Sequence, residues 1–399
     1  MRSLFITPLS PWHRPGGAQE RQRVMLSALR ATGNVDVVIL GSPAPSVMGL
    51  QPPAGITVHH VDRPRSTTRP TMARWLATGT APSALLRYDA MRLREDLDAF
   101  AGAGFDLYWS STLVPLLLFE PPRGARVVLD LYDLEDQKLR QTLPSLREVF
   151  RSRRPRAALH RVLAKRDARA WASHQSRLAP RADAVLVCSA EDRARLSDPR
   201  AVVVPNGAHE PREVADHRNL SSSEPTIMLH GNLRYGPNMQ AARILVNEVA
   251  PRVRAAFPGL RVRLVGVAPP SLEQLHAPPG VTVTGYVPDL SHELARADIL
   301  AVPLRSGSGT RIKIIEAFAH GVPVVATPVA RDGIDAHDGT HLLIRDDPET
   351  FAAACIELLS MPDLRARCID NGMALYRSRY RWTCIEQQVH RLLRETVAC

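Results

Sequence analysis

The sequence predicts an α/β chain of two doubly wound domains facing each other across a cleft. Three observations carry this. Short apolar runs alternate with stretches of helical length through the first half; a polar stretch ending in serines interrupts them; the same alternation then begins again. Apolar strands that alternate with helices belong to parallel sheets covered on both faces. At 399 residues the chain is long enough for two separate cores. Sheets of this kind bind ligands beyond the carboxyl ends of their strands, which places the expected site in the cleft.

In chain order, the first-half strands are expected at residues 4–7, 35–40, 56–61, 107–109, 127–130 and 184–188, short apolar or aromatic runs, most of them rich in Val, Leu and Ile. Residues 18–31 and the basic segment up to Leu178 have helical length and composition. After Val202-Val-Val-Pro-Asn206-Gly207 the pattern dissolves, and residues 210–224, closing on Ser221-Ser-Ser, read as a linker. Second-half strands are expected at 226–230, 262–266, 281–284, 299–304, 322–327 and 342–344.

The densest stretch is Arg305-Ser-Gly307-Ser-Gly309-Thr310-Arg311-Ile-Lys313-Ile-Ile-Glu316, set between two of these strands. Ile312, Ile315 and Ala319 recur at helical spacing, Thr310 is the expected N-cap and Gly321 the stop. A strand, a glycine loop and a helix start leave backbone N–H groups for an anion. Lys313 and Glu316, three apart, share a helix face. A cation near the amides and a carboxylate about 5 Å further along the axis suit a diphosphate followed by ribose hydroxyls. Such a pair is also ordinary helix decoration, but lysine occurs only at Lys138, Lys165 and Lys313 in an arginine-rich chain. Gly307-Ser-Gly309-Thr-Arg-Ile312 lacks the third glycine of a dinucleotide fingerprint, and no Gly-Lys-Ser/Thr exists for a P-loop.

Composition narrows the setting. Five cysteines, odd in number and scattered, point to a reducing compartment and offer no metal-ligand spacing. Residues 1–8 read as a first strand rather than a signal peptide, and the apolar run 113–119, broken by Pro115, is far short of a membrane span. The expected location is cytoplasmic. Most of the formal charge of +11 comes from Arg147 to Arg177, where ten basic residues face only Glu148 and Asp167. That segment is either a solvated face or a dock for an anionic surface, such as the inner face of a membrane or a phosphorylated acceptor. Phe150 and Trp171 are its only aromatic residues besides histidine, and with no recognisable nucleic-acid module, nucleic acid is not the expected partner.

Further pieces flank the cleft. Pro15-Gly16-Gly17 follows the first strand, where Gly16 and Gly17 let backbone approach a phosphate or sugar. His230-Gly231-Asn232-Leu-Arg234-Tyr-Gly-Pro-Asn238 follows the first strand of the second half, and Gly285-Tyr286-Val287-Pro-Asp289 the third. With Val265-Gly266, Ala297-Asp298 and the run from Gly307 to Gly321, these loops together resemble the nucleotide-binding domain of the family 4 (group 1) glycosyltransferases with the GT-B fold. The order of motifs holds over roughly 200–380, and Gly16-Gly17 and Val204-Pro-Asn-Gly207 extend it over most of the chain.

The resemblance implies two Rossmann-like domains: 1–209 for the acceptor, linker 210–224, 225–378 for the nucleotide-sugar, and a C-terminal helix 379–399 crossing back. It implies a retaining transfer from a nucleotide-sugar donor to a glycan, lipid-linked or small-molecule acceptor, with no obligatory metal and no further cofactor. Glu316 matches the second glutamate of the family's Glu-x7-Glu motif and is expected on the ribose. Ser308 stands where the first glutamate orients the donor hexose. The amides of Gly309, Thr310 and Arg311 are expected on the diphosphate or sugar. Asn232 and Asn238 occupy positions where many relatives carry Arg and Lys, so Arg311, Lys313 and Arg234 are the expected replacements as phosphate cations. Gly231, Tyr286 and Val287 complete the donor site, Tyr286 and Val287 toward the base. In the acidic turn from Asp130 to Asp136, near the point where relatives often carry a histidine, Asp133 is either catalytic or acceptor-positioning, or an N-cap. Two other readings share the fold: a nucleotide-sugar 2-epimerase, and a degenerate binding or scaffold protein of a glycan pathway.

Overall fold

The computed structural model describes residues 1–13, 16–41, 50–62, 82–83, 85, 90–142, 155–212, 214, 216–217, 224–277, 280–307 and 309–398. The chain divides into two compact units, Met1–Asn206 with Ile385–Cys399, and Gly207–Cys384. Each is described by itself.

The first unit is a parallel sheet of β1 (Arg2–Thr7), β2 (Asn34–Leu40), β3 (Ile56–Val61), β4 (Leu107–Ser111), β5 (Arg126–Leu131), β6 (Ala184–Val187) and β7 (Ala201–Val203), in the order β3-β2-β1-β4-β5-β6-β7. Every pairing is parallel. Leu4, Phe5 and Ile6 are all buried, as expected for a strand covered on both faces. Parallel neighbours need crossovers, and the helix Gly17–Arg30 between β1 and β2 supplies one, burying Val24, Met25, Leu26 and Leu29. β7 was not among the expected strands. It forms from the valine run read above only as the end of the pattern.

The second unit repeats the plan with β8 (Thr226–His230), β9 (Arg261–Val265), β10 (Val281–Gly285), β11 (Ile299–Val302), β12 (Val324–Ala326) and β13 (Leu343–Ile344), ordered β10-β9-β8-β11-β12-β13 and parallel throughout. In both sheets the strand order reverses beside the first strand, the switch point at which such sheets leave a crevice. The helix Ile312–Ala319 buries Ile314, Ile315, Ala317 and Phe318 and stops at Gly321, whose φ of +68° returns Val322 N–H to the Ala317 carbonyl at 2.9 Å. Its cap differs from expectation. Arg311, not Thr310, takes the N-cap position without a side-chain capping bond, and the Thr310 hydroxyl is buried with no partner among the described residues.

Within the stretch 210–224 the chain touches the second unit. Arg365, 1% exposed, donates from Nε to the carbonyl of His217, so the chain is already fastened to the second unit there. Residues 213, 215 and 218–223, including the serines, lie outside the described residues. The last helix, Trp382–Ala398, begins after a π-type turn at Tyr376–Tyr380 and buries Ile385, Val389, Leu392 and Leu393. Its Gln388 donates to the carbonyl of Val203 at 2.7 Å. Of the basic segment, the helix Pro155–Leu178 is described; Arg147, Arg151, Arg153 and Arg154 lie outside the described residues.

Candidate functional site

Beside the switch point of the second sheet, which lies between β8 and β11, the loops after β8 and β9 touch. Gly231 (φ +132°) follows β8 and Gly266 (φ +130°) follows β9. A Cβ on Gly266 would stand 1.9 Å from the Gly231 carbonyl oxygen, so this approach requires glycine. The loop then turns through Asn232, whose carbonyl accepts from Asn238 Nδ2 at 2.9 Å and whose side chain accepts from Arg234 N–H at 3.1 Å. Asn238, buried on the helix Gly236–Ile244, turns its Oδ1 to Lys313 Nζ at 2.8 Å. Lys313 is thereby brought across to Gly231, where an added Cβ would lie 3.3 Å from Nζ.

Burial, and then the Arg311 guanidinium, push the Lys313 ammonium down to about 7, against the pull of Glu316. One turn on, Glu316 keeps 31% of its side chain open, yet burial raises its carboxyl to about 7 against Lys313 and His209. Behind it His230, the last residue of β8, is held neutral, pushed down to about 3 by burial and by Lys313. Its Nε2 lies 3.8 Å from Glu316 Oε2.

Arg311 faces elsewhere than expected. The residue is 8% exposed, and its guanidinium folds back on its own loop, donating to the carbonyls of Gly307 at 2.6 Å and of Gly309. These bonds hold the path of the loop, and the charge of Arg311 also pushes the Lys313 ammonium down. Gly307 (φ +124°) and Gly309 (φ +75°) permit that path. Ser308 lies outside the described residues. Arg234 is exposed, Tyr286 is 55% exposed, and Val287 packs half-buried on the core.

In the first unit Gly16 is the N-cap residue of the helix that Gly17 starts, and a Cβ on Gly16 would meet Gln19 Oε1 at 2.5 Å. Asp133 lies 3.5 Å from Lys138, which also reaches Glu135 at 3.5 Å. It is not the N-cap: the helix Glu135–Thr142 begins later, and Lys138 N–H donates to Leu134. Sequence reasoning missed Arg21. It pairs with Asp130 at 2.8 Å with both side chains fully buried, and also binds the Val204 carbonyl and the Asn206 side chain. An arginine on the same helix face as Met25 and Leu29 was the available signal. His230 was missed as well, and Asn238 was read only as a missing lysine. Among the described residues no group of three or more His, Cys, Asp or Glu stands close enough to hold a metal.

Residues 224–361 match the family model for glycosyl transferases group 1. This stretch lies within the second unit and is similar to a group 1 glycosyltransferase domain. Sequence relatives agree with this: the phosphatidyl-myo-inositol mannosyltransferase of Mycobacterium leprae is 29% identical over 216 residues, 50% of this chain and 54% of that protein. That of Propionibacterium freudenreichii is 30% identical over 226 residues, 53% of this chain and 56% of that one. The matched region thus spans about half the length of these relatives. The fold extends over the whole chain. Sucrose-phosphate synthase from Thermosynechococcus elongatus superposes with a TM-score of 0.69 at 19% identity, covering 100% of this chain and 99% of that one. Anabaena HepE, solved with UDP and glucose, gives 0.65 at 16% identity, covering 99% and 100%. The two parallel sheets with flanking helices make a GT-B fold, and Lys313, Asn238, Gly231 and Glu316 sit beside the switch point of the second sheet.

Proposed function

We propose that the chain is a glycosyltransferase whose group 1 domain holds a nucleoside diphosphate-sugar and passes the sugar to a glycan, lipid-linked or small-molecule acceptor with retention. One observation carries the reading: Lys313 Nζ, fixed by Asn238, stands over Gly231, with Glu316 one turn away. A diphosphate fits against the ammonium and the close-approach glycine. The ribose hydroxyls of the same molecule then fall on Glu316.

Departure of a nucleoside diphosphate leaves about two negative charges, and stabilising them where they develop is the main task of the site. Lys313 supplies the charge and the amino end of the helix Ile312–Ala319 supplies dipoles. Arg311 holds the carbonyls of Gly307 and Gly309 on its own guanidinium, which leaves loop amides to face the leaving group. In a front-face transfer the leaving phosphate takes the acceptor proton, and no protein nucleophile is needed. No metal takes part in this scheme, so a chelator leaves the rate unchanged. Asp133 is assigned to acceptor positioning in the first unit, its carboxylate steadied by Lys138.

The curated relatives are named for transfer to phosphatidyl-myo-inositol. Together with the exposed Lys165, Arg169 and Arg177 on the helix Pro155–Leu178, this favours a lipid-linked acceptor at an anionic surface of the cytoplasmic membrane. No helix among the described residues is long and apolar enough to cross a membrane.

The test is incubation with labelled nucleotide-sugars and membrane lipid extracts, with NMR of the product. Sugar transferred with its anomeric configuration kept supports the reading. Epimerised donor, or binding without turnover across donors and acceptors, replaces it with the epimerase or the scaffold.

A further inference from the structure

Thr112 joins β4 directly to the helix Leu113–Leu118, with no other residue between strand and helix. Its φ of +104° and ψ of 173° lie in a region occupied almost only by glycine, a strained backbone for a β-branched residue. Among the described residues one other non-glycine has positive φ, Ser197, whose φ of +55° is the left-handed turn that commonly ends a helix. Capping does not account for the strain at Thr112. Its hydroxyl accepts Val114 N–H at 3.3 Å, but Ser189, Asp289, Thr327 and Asp347 cap their helices at φ between −147° and −80°. The neighbours impose the conformation. Thr112 N–H donates to the Asp130 carbonyl at 3.0 Å, extending the pairing of β4 with β5, and its carbonyl accepts from Ser110 Oγ at 2.8 Å. One residue earlier, the fully buried Gln22 ties together the strands that flank the switch point of the first sheet. Its Nε2 donates to Thr7 Oγ1 at the end of β1 and to Ser111 Oγ at the end of β4, each at 3.0 Å. Gln22 Oε1 has no partner among the described residues, so the polar groups at this edge exceed the bonds made with them.

We propose that Thr112 is an acceptor-binding residue: its O–H donates to a hydroxyl oxygen of the acceptor at the switch point of the first sheet. This deepens the transferase reading and rests on it. A sharp, strained strand-to-helix turn can hold a hydroxyl exposed above the carboxyl edge of a parallel sheet. Thr112 is half-buried, so a ligand can reach it, and its hydroxyl, an acceptor to Val114, donates to none of the described residues. Strain of this kind persists where the surroundings over-determine it, and it gathers at ligand clamps. The hydroxyl that Thr112 meets is a neighbour of the one that receives the sugar. Donation to the attacking oxygen itself would tie up the lone pair that forms the new bond. The acidic turn that carries Asp133 follows β5, the strand to which Thr112 is bonded, so both acceptor contacts stand at one end of adjacent strands.

The experiment measures thermal unfolding, nucleotide affinity by calorimetry, and sugar transfer to membrane lipid extract titrated to saturation. Wild type, Thr112→Gly and Thr112→Ser are compared. Glycine removes the strain and costs little as a cap, so Thr112→Gly should unfold at the same temperature as wild type or higher. Its apparent KM for the extract should rise about five- to tenfold, the loss of one neutral hydrogen bond, with nucleotide affinity unchanged. Thr112→Ser keeps the hydroxyl and should stay within about threefold of the wild-type KM. A glycine variant that unfolds at a lower temperature, or fails to fold, makes Thr112 structural and overturns the proposal. So does an unaltered KM in that variant, an equal loss in the serine variant, or an equal loss of nucleotide affinity; each leaves the transferase reading standing. A wild type that transfers no sugar overturns both.

Discussion

Lys313 and Glu316 approach neutrality from opposite sides. Burial lowers the lysine to about 7 and raises the glutamate to about 7. The proposed diphosphate contact requires the ammonium charged; the proposed ribose contact requires the carboxylate ionised. As pH rises toward 7 Glu316 loses its proton and affinity grows, and above 7 Lys313 loses its own and affinity falls. The profile for a nucleotide-sugar, whose phosphodiesters do not titrate near neutrality, is therefore a bell centred near 7. Its outer limbs change by about tenfold per pH unit. Titration calorimetry across the range should show Glu316→Gln without the acid limb and Lys313→Met without the alkaline limb; a flat wild-type profile contradicts the assignment. These two residues were legible in the sequence, because a glycine loop and helical spacing fix their face. Arg311 was not. Its fold onto Gly307 and Gly309 depends on a loop path that no periodicity encodes. His230 was equally silent, since a single histidine at a strand end has no local pattern.

At the level of loops and elements the demand on glycine differs sharply between neighbours. Gly266→Ala drives a Cβ into the Gly231 carbonyl, whereas Gly285 (φ +73°) has nothing within 4 Å of an added Cβ. Gly266→Ala is expected to destabilise by about 3 kcal/mol or more, combining clash and backbone strain. Gly285→Ala is expected to cost about 1–2 kcal/mol from left-handed strain alone. Thermal unfolding ranks them, and equal shifts would contradict the close-approach account. Strands such as β2, β6 and β11 were readable because each is an apolar run buried on both sides. The cap of the helix Ile312–Ala319 was misread. Thr310 has a suitable side chain, but the loop buries its hydroxyl away from the helix amides and moves the cap position to Arg311.

Over the whole chain, repeated alternation of apolar runs was enough to read two doubly wound domains. The boundary was less legible, because what fastens it is tertiary. Arg365 captures His217, and Arg21 captures both Asp130 and the chain at Val204 and Asn206. Arg21→Met leaves Asp130 buried and uncompensated, and is expected to destabilise the first unit by about 3–5 kcal/mol. The double variant Arg21→Met with Asp130→Leu should recover much of that loss in denaturant unfolding, and a purely additive result would contradict the ion-pair account. The exposed basic face of the helix Pro155–Leu178 belongs to this scale too. The protein is expected to pellet with vesicles containing phosphatidylglycerol and to stay in solution with phosphatidylcholine alone; equal recovery would remove the membrane from the account.

The central claim is that Lys313, Gly231 and Glu316 form a nucleoside diphosphate site. Calorimetric titration of UDP, GDP, ADP and dTDP into wild type and Lys313→Met tests it most directly. The account predicts saturable binding of at least one of these nucleotides, weakened about a hundredfold without the lysine, as expected for a desolvated charge pair of roughly 3 kcal/mol. No binding by any of the four, or binding that the lysine substitution leaves unchanged, would contradict it.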